Sequence, residues 1–213
     1  MKRLGEWRCA RLLAPVLVGV TLAAANAVAQ EHLLARSPAP HASAAIELPI
    51  WRTMILGTSK GVDAYRDALA AEGIKIGDSA DEILGRPAFA YARTQTQLEL
   101  VVLSAAELGV EADAASHADV YRRAKQMGFE LCPAEIGPQL RLEYRNQPLG
   151  EALDIAMEPV ATYAGEPTIL TLANFGAGLA LIGADGRSES MVPRARRFVF
   201  ARPARERLEA GLQ

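Results

Sequence analysis

Three apolar runs of strand length in the last third of the chain, at 168–173, 179–182 and 197–201, restrict its fold more than any other feature. Turn formers fence them: Gly165 and Pro167 before the first, Gly176 and Gly178 before the second, Asp185-Gly186 and Pro193 before the third. Amides and carbonyls in such runs find partners only on neighbouring strands, so a sheet is required. Leu98, Leu100, Val101, Val102 and Leu103 make a further buried strand. Ile50, Trp51, Met54, Ile55 and Leu56 make a first one that stops at Gly57.

The first half carries the helical signals. Val62, Tyr65, Ala68, Leu69 and Ala70 recur at helical spacing over 62–71, and Gly73 sits where a helix-terminating glycine belongs. Asp78 can cap a second short helix through Leu84, ended by Gly85 and Pro87. Ser104 and Glu107 have capping-box spacing, with room for little more than one turn before Gly109. Ser116 opens a third helix, with Asp119 in its first turn and Gly128 at its end.

After Pro138 the period changes to two. Leu140, Leu142 and Tyr144 alternate with Arg141, Glu143 and Arg145, which predicts a strand with one wet side. Leu153, Ile155 and Met157 repeat the alternation beyond the turn-rich stretch 146–150, which predicts an antiparallel hairpin. Helices early and strands late give an expected α+β fold, an antiparallel sheet backed by two or three helices. One domain is expected over 47–203, with a C-terminal tail over 204–213.

Residues 1–29 read as a cleavable export signal. Lys2, Arg3, Arg8 and Arg11 supply the basic segment, 12–25 the apolar one, and Ala27-Val28-Ala29 the small-residue cleavage site, leaving Gln30 first. The apolar stretch is shorter than the roughly 20 residues of a bilayer crossing, so no stable membrane anchor is expected after cleavage. Residues 30–46, rich in Ala, Ser and Pro, read as a flexible mature N-terminus. The expected location is the periplasm or the extracellular medium. Cleavage also removes Glu6, and the remaining chain carries a net charge of about −5, which argues against nucleic acid as a partner. Cys9 leaves with the signal, so Cys132 stays as a lone thiol: buried, reactive, or paired between chains.

Candidate sites follow from a few residue groupings. Cys132-Pro133-Ala134-Glu135, with His117 on the preceding helix, allows a thiol nucleophile (Cys132), a base (His117) and an orienting carboxylate (Glu135). A packed, inert Cys132 explains the same residues. Glu135 is also one of several carboxylates, among them Glu143, Glu151, Asp154 and Glu158, from which an acid/base pair could be drawn. Arg141, Glu143 and Glu151 equally suit cross-strand ion pairing. Between a strand and a helix, Gly57-Thr58-Ser59-Lys60-Gly61 offers amides, hydroxyls and an ammonium to an anion, with Thr58, Ser59 and Lys60 as the side-chain candidates. It lacks the Gly-Lys-Ser/Thr of a nucleotide loop, and a plain capped turn accounts for it as well. His32 and His41 fall in the expected flexible segment. The spacing of Asp113, His117 and Asp119 matches no zinc or calcium pattern, so neither a metal nor a cofactor is implied.

The segment 130–144, Glu-Leu-Cys-Pro-Ala-Glu-Ile-Gly-Pro-Gln-Leu-Arg-Leu-Glu-Tyr, running on to Ala156-Met157-Glu158-Pro159, resembles a segment in bacterial exported proteins of unassigned function. The starts at 50–58 and ends at 197–200 are similar too. The resemblance implies one evolutionary unit over 47–203 and no activity. The expected function is an exported small binding or interaction domain for a protein or small ligand. The alternative is an exported hydrolase using Cys132 with His117, or an acidic pair that includes Glu135.

Overall fold

A computed structural model describes residues 48–203, all within one contiguous unit. The expected export signal over 1–29, the expected flexible segment 30–46 with its histidines, Cys9 and the expected tail over 204–213 lie outside the described residues. In chain order the elements are β1 (Arg52–Leu56), α1 (Val62–Ala71), β2 (Lys75–Ile76), α2 (Asp78–Leu84), β3 (Thr96–Ser104), β4 (Ala114–Ser116), α3 (His117–Gln126), α4 (Ile136–Glu143), β5 (Ala152–Ile155), β6 (Val160–Ala161), β7 (Pro167–Asn174), β8 (Leu179–Asp185), β9 (Met191–Pro193) and β10 (Arg197–Arg202).

Eight strands form one sheet in the order β1-β3-β10-β5-β7-β8-β2, with β6 added along β7, and β4 and β9 form a separate ribbon. Pairing is antiparallel except for β5 with β10 and β2 with β8. The fold is thus α+β, with a mostly antiparallel mixed sheet.

Register sets the two faces. Leu100 opposite Ala201, Val199 opposite Ile155, and Leu172 between Leu153 and Leu181 line one face. Against them pack Leu69 of α1, Ile83 of α2, and Ile136 and Leu140 of α4. Leu103 opposite Phe198 and Val101 opposite Phe200 line the other face, where Val120 and Ala124 of α3 pack with Ala115 of β4 and Val192 of β9. Each fully buried Leu, Ile, Val or Phe among them contributes about 1.5–3 kcal/mol. Helices therefore cover both faces, three on one side and one on the other.

Several local signals act as the sequence predicts. Helix α1 spans the expected residues, and Gly73 follows it at φ 66°. The Ser116 hydroxyl caps α3 by accepting from the Asp119 amide at 3.1 Å. The expected strand and hairpin after Pro138 are corrected: 136–143 is helix α4, and β5 pairs with β7 and β10 instead. Pro138 lies in the first helical turn, where its missing N–H removes no hydrogen bond. Ile136, Leu140 and Tyr144 are four apart and bury one helical stripe. Gly137 makes the packing possible, because a Cβ there would lie 2.4 Å from Leu170 Cδ1 on β7.

Arg141, expected on the wet side of a strand, is 0% exposed. Its Nη1 donates to Gln147 Oε1 and its Nη2 to the Tyr144 carbonyl, and burial lowers the guanidinium to about 10. Glu151 pairs with Arg197 at 2.6 Å and accepts from the Tyr144 hydroxyl at 2.9 Å, so its ion pairing crosses to β10 and not to Arg141.

Candidate functional site

The three residues of the thiol hypothesis have separate partners. Cys132 is buried and its Sγ donates to the Val199 carbonyl at 3.4 Å; burial pushes the thiol well above its ordinary value. A nucleophilic cysteine needs the opposite shift. Glu135, 0% exposed, accepts from the Tyr65 hydroxyl at 2.7 Å, the Ala92 amide at 2.7 Å and the Gly57 amide at 3.3 Å. No second carboxylate bonds to it among the described residues. His117 lies at the start of α3, against Phe198 and Tyr121.

The strand-to-helix loop and Glu135 prove to be parts of one network. The oxyanion met by the first amide of the loop is internal, the Glu135 carboxylate. Gly57 holds φ 73°, and a Cβ there would sit 2.3 Å from the Thr94 carbonyl oxygen. Ser59 turns back on Gly61, donating to its carbonyl at 2.9 Å, while Thr58 and Lys60 are exposed.

A different set of residues converges on a cleft. Asp154 sits in the apolar strand β5, 2% exposed, on the face that also carries Thr171 and Phe198. Arg196 grips it with two parallel hydrogen bonds, Nε to Oδ2 and Nη2 to Oδ1, both 2.6 Å. Thr171 donates a third at 2.5 Å. These bonds hold the Arg196 guanidinium above its ordinary value against the opposing effect of burial.

The 186–190 loop borders the cleft, with Ser190 in its lining. Its carbonyls cap α3 from outside: the His117 amide donates to Ser190 O at 3.0 Å and the Ala118 amide to Ser188 O at 2.9 Å. Asp185, at the end of β8, accepts from Arg187 and from the Ser190 hydroxyl, which hold its carboxyl well below the usual carboxylate range. His117, Asp154, Asp185, Ser190, Val192 and Arg196 are among the residues that line a cavity of about 210 Å³. An adjacent cavity of about 340 Å³, lined by Ser79, Thr168 and Arg187 among others, shares Ala184 and Asp185 with it.

His117, which lines the cleft, carries an unusual atom. It is 4% exposed, and its Nδ1 lies 3.2 Å from the Arg187 carbonyl. A carbonyl only accepts, so Nδ1 carries the proton, and in that tautomer Nε2 is an acceptor. That Nε2 is buried and has no partner among the described residues. Arg196 is 30% exposed at its side chain, and its Nη1 likewise has no partner among the described residues.

His117 was among the expected site residues; Asp154 and Arg196 were not singled out together. The one local signal was a carboxylate between Leu153 and Ile155, inside an apolar strand, since buried charges are paired. Among the described residues no group of three or more His, Cys, Asp or Glu could hold a metal ion, and no helix is long and apolar enough to cross a membrane. Compared with known proteins, the chain matches no family model, no curated protein and no solved structure.

Proposed function

We propose that the chain is an exported binding module that receives a small ligand in the cleft between His117 and Arg196. The observation that carries this reading is the unpartnered Nε2 of His117, buried in a ring that lines a cavity. A buried acceptor left without a partner costs about 1–3 kcal/mol, and a ligand that donates to it recovers that energy. The Asp154 to Arg196 pair supports the reading, because it fixes a guanidinium at the cavity wall and leaves Nη1 unused. Export is supported by the signal-like residues 1–29.

The hydrolase alternative has no comparable support. Its thiol is buried and hydrogen-bonded to a carbonyl, and its carboxylate is occupied by three donors.

A fragment screen by nuclear magnetic resonance on the purified chain tests the ligand site. We expect at least one small polar fragment to move the amides of 117, 154, 190 and 196 together. Saturable shifts that map elsewhere and never to the cleft overturn it. The mass of the chain recovered from the exported fraction tests the address, with Gln30 as the expected first residue.

A further inference from the structure

Two residues that line the cleft leave hydrogen-bonding capacity unused. Arg196 gives Nε and Nη2 to Asp154 and keeps Nη1, on a side chain 30% exposed. His117 keeps an acceptor, because the Arg187 carbonyl binds Nδ1–H and leaves Nε2 bare. A guanidinium edge selects a planar oxyanion, and a neutral imidazole nitrogen selects an N–H or O–H donor. Both residues line the same cavity of about 210 Å³, so one small molecule that satisfies both carries an acid group and a donor within a few bonds of each other.

Charge narrows the class further. The carboxylates of Asp154 and Asp185 are already matched by Arg196 and Arg187, so the site is balanced before a ligand enters. Their oxygens are also occupied, Asp154 by three hydrogen bonds and Asp185 by Arg187 and Ser190. A metal ion or a bare ammonium therefore finds no free carboxylate there, and a single negative charge is easier to accept than two. The volume of about 210 Å³ is below the roughly 300–1,000 Å³ of sites for drug-sized ligands.

Resting on the reading of this cleft as the ligand site, we propose that it takes a small α-hydroxy or α-amino carboxylate. The carboxylate meets Arg196 Nη1, and the hydroxyl or amino group of the same molecule donates to His117 Nε2.

The test is a probe panel on the unaltered full chain, read by calorimetry and by the resonances of the cleft amides and the His117 ring. The probes are lactate, alanine, lactamide, propionate, inorganic phosphate, glycerol and ethanolamine. We expect lactate or alanine to bind at the cleft. Propionate, without the donor, should bind about tenfold more weakly, and lactamide, without the charge, about a hundredfold more weakly. His117→Phe, which keeps a ring and removes the acceptor, should erase the difference between lactate and propionate.

Lactamide binding as well as lactate, or phosphate, glycerol or ethanolamine binding more tightly at the cleft, overturns the ligand class and leaves the cleft as a binding site. If no probe moves the cleft resonances, the proposal fails; if the fragment screen is also silent there, the binding site itself fails. The panel uses the unaltered chain, so its result stands even if His117→Phe does not fold.

Discussion

Tyr65 donates its hydroxyl to Glu135 Oε1 at 2.7 Å, tying the middle of α1 to the residue that opens α4, 70 positions along the chain. The same carboxylate accepts from the amides of Gly57 and Ala92, so one buried side chain fixes the end of β1, the segment before β3 and two helices. Burial and the Glu135 hydrogen bond both push the Tyr65 phenol far above its ordinary value. The hydroxyl therefore stays a donor across the physiological range.

Removing the acceptor should be far worse than removing the donor. Glu135→Ala strands two backbone amides and leaves the Tyr65 hydroxyl only Gln139 Oε1, 3.0 Å away, and we expect a loss of about 3–5 kcal/mol. Tyr65→Phe leaves Glu135 with its amide partners and should lose about 1–2 kcal/mol. Urea unfolding of both variants checks the ranking; equal losses would show that the carboxylate is not the hub.

Gly137 and Leu170 should behave as a coupled pair. A methyl at Gly137 points 2.4 Å from Leu170 Cδ1 and 3.1 Å from its Cβ, so Gly137→Ala should destabilise by about 1–3 kcal/mol through overpacking. Leu170→Ala alone opens a cavity and should cost about 2–5 kcal/mol. In the double variant the new methyl fills part of that space. A double-mutant cycle should therefore return a total loss at least 0.5 kcal/mol smaller than the sum. Strict additivity would mean that α4 shifts away from β7 at no energetic cost.

Where a segment's own residues decide its structure, the sequence was legible. The helical spacing over 62–71, the Ser116 cap and the apolar stretch within β3 each appear where expected. Residues 140–144 were not, because five alternating residues fit a strand of period two, while Ile136, Leu140 and Tyr144 fit a helix. What decides is Arg141, buried only because Gln147 and the Tyr144 carbonyl receive its guanidinium. That is tertiary information. The cleft was illegible for a related reason: Asp154 and Arg196 lie 42 residues apart and meet through the parallel register of β5 on β10. Short strands such as β2 and β6, two residues each, carry no periodicity to read.

Alkaline pH should erode stability in stages, with the Cys132 thiol first and the buried phenols, Tyr65 and Tyr121 among them, after it. The buried Cys132 thiol and the Tyr65 phenol have folded values raised above their unfolded ones, of about 8.5 and about 10. A raised value means that the folded state holds the proton longer, so the contribution to stability is complete below the unfolded value and falls as pH rises past it. Each group should contribute up to about 1.4 kcal/mol per pH unit. Cys132→Ser keeps a donor for the Val199 carbonyl and should flatten the loss from about pH 8.5 upward, whereas Tyr65→Phe should flatten only part of the loss above about 10, because the Tyr121 phenol is raised as well. Urea unfolding across that range, with native-state alkylation of Cys132 limited by opening of the fold, checks both.

Asp154 and Arg196 should show the asymmetry of a charge pair with one buried member. Asp154 is 2% exposed and Arg196 partly solvated, so removing the arginine leaves a carboxylate charge with Thr171 as its remaining partner. We expect Arg196→Ala to lose about 3 kcal/mol, the lower end for a broken buried pair. Asp154→Asn leaves a guanidinium that can turn toward solvent, and should lose about 1–2 kcal/mol. The double variant removes both charges, so its loss should fall short of the sum by at least 1 kcal/mol. The ligand readout separates this structural role from recognition. Asp154→Asn keeps the guanidinium but loosens its aim, and should weaken binding at the cleft while the His117 ring signals stay in place. Unchanged affinity in that variant would mean that Arg196 recognises its ligand without needing Asp154 to hold it.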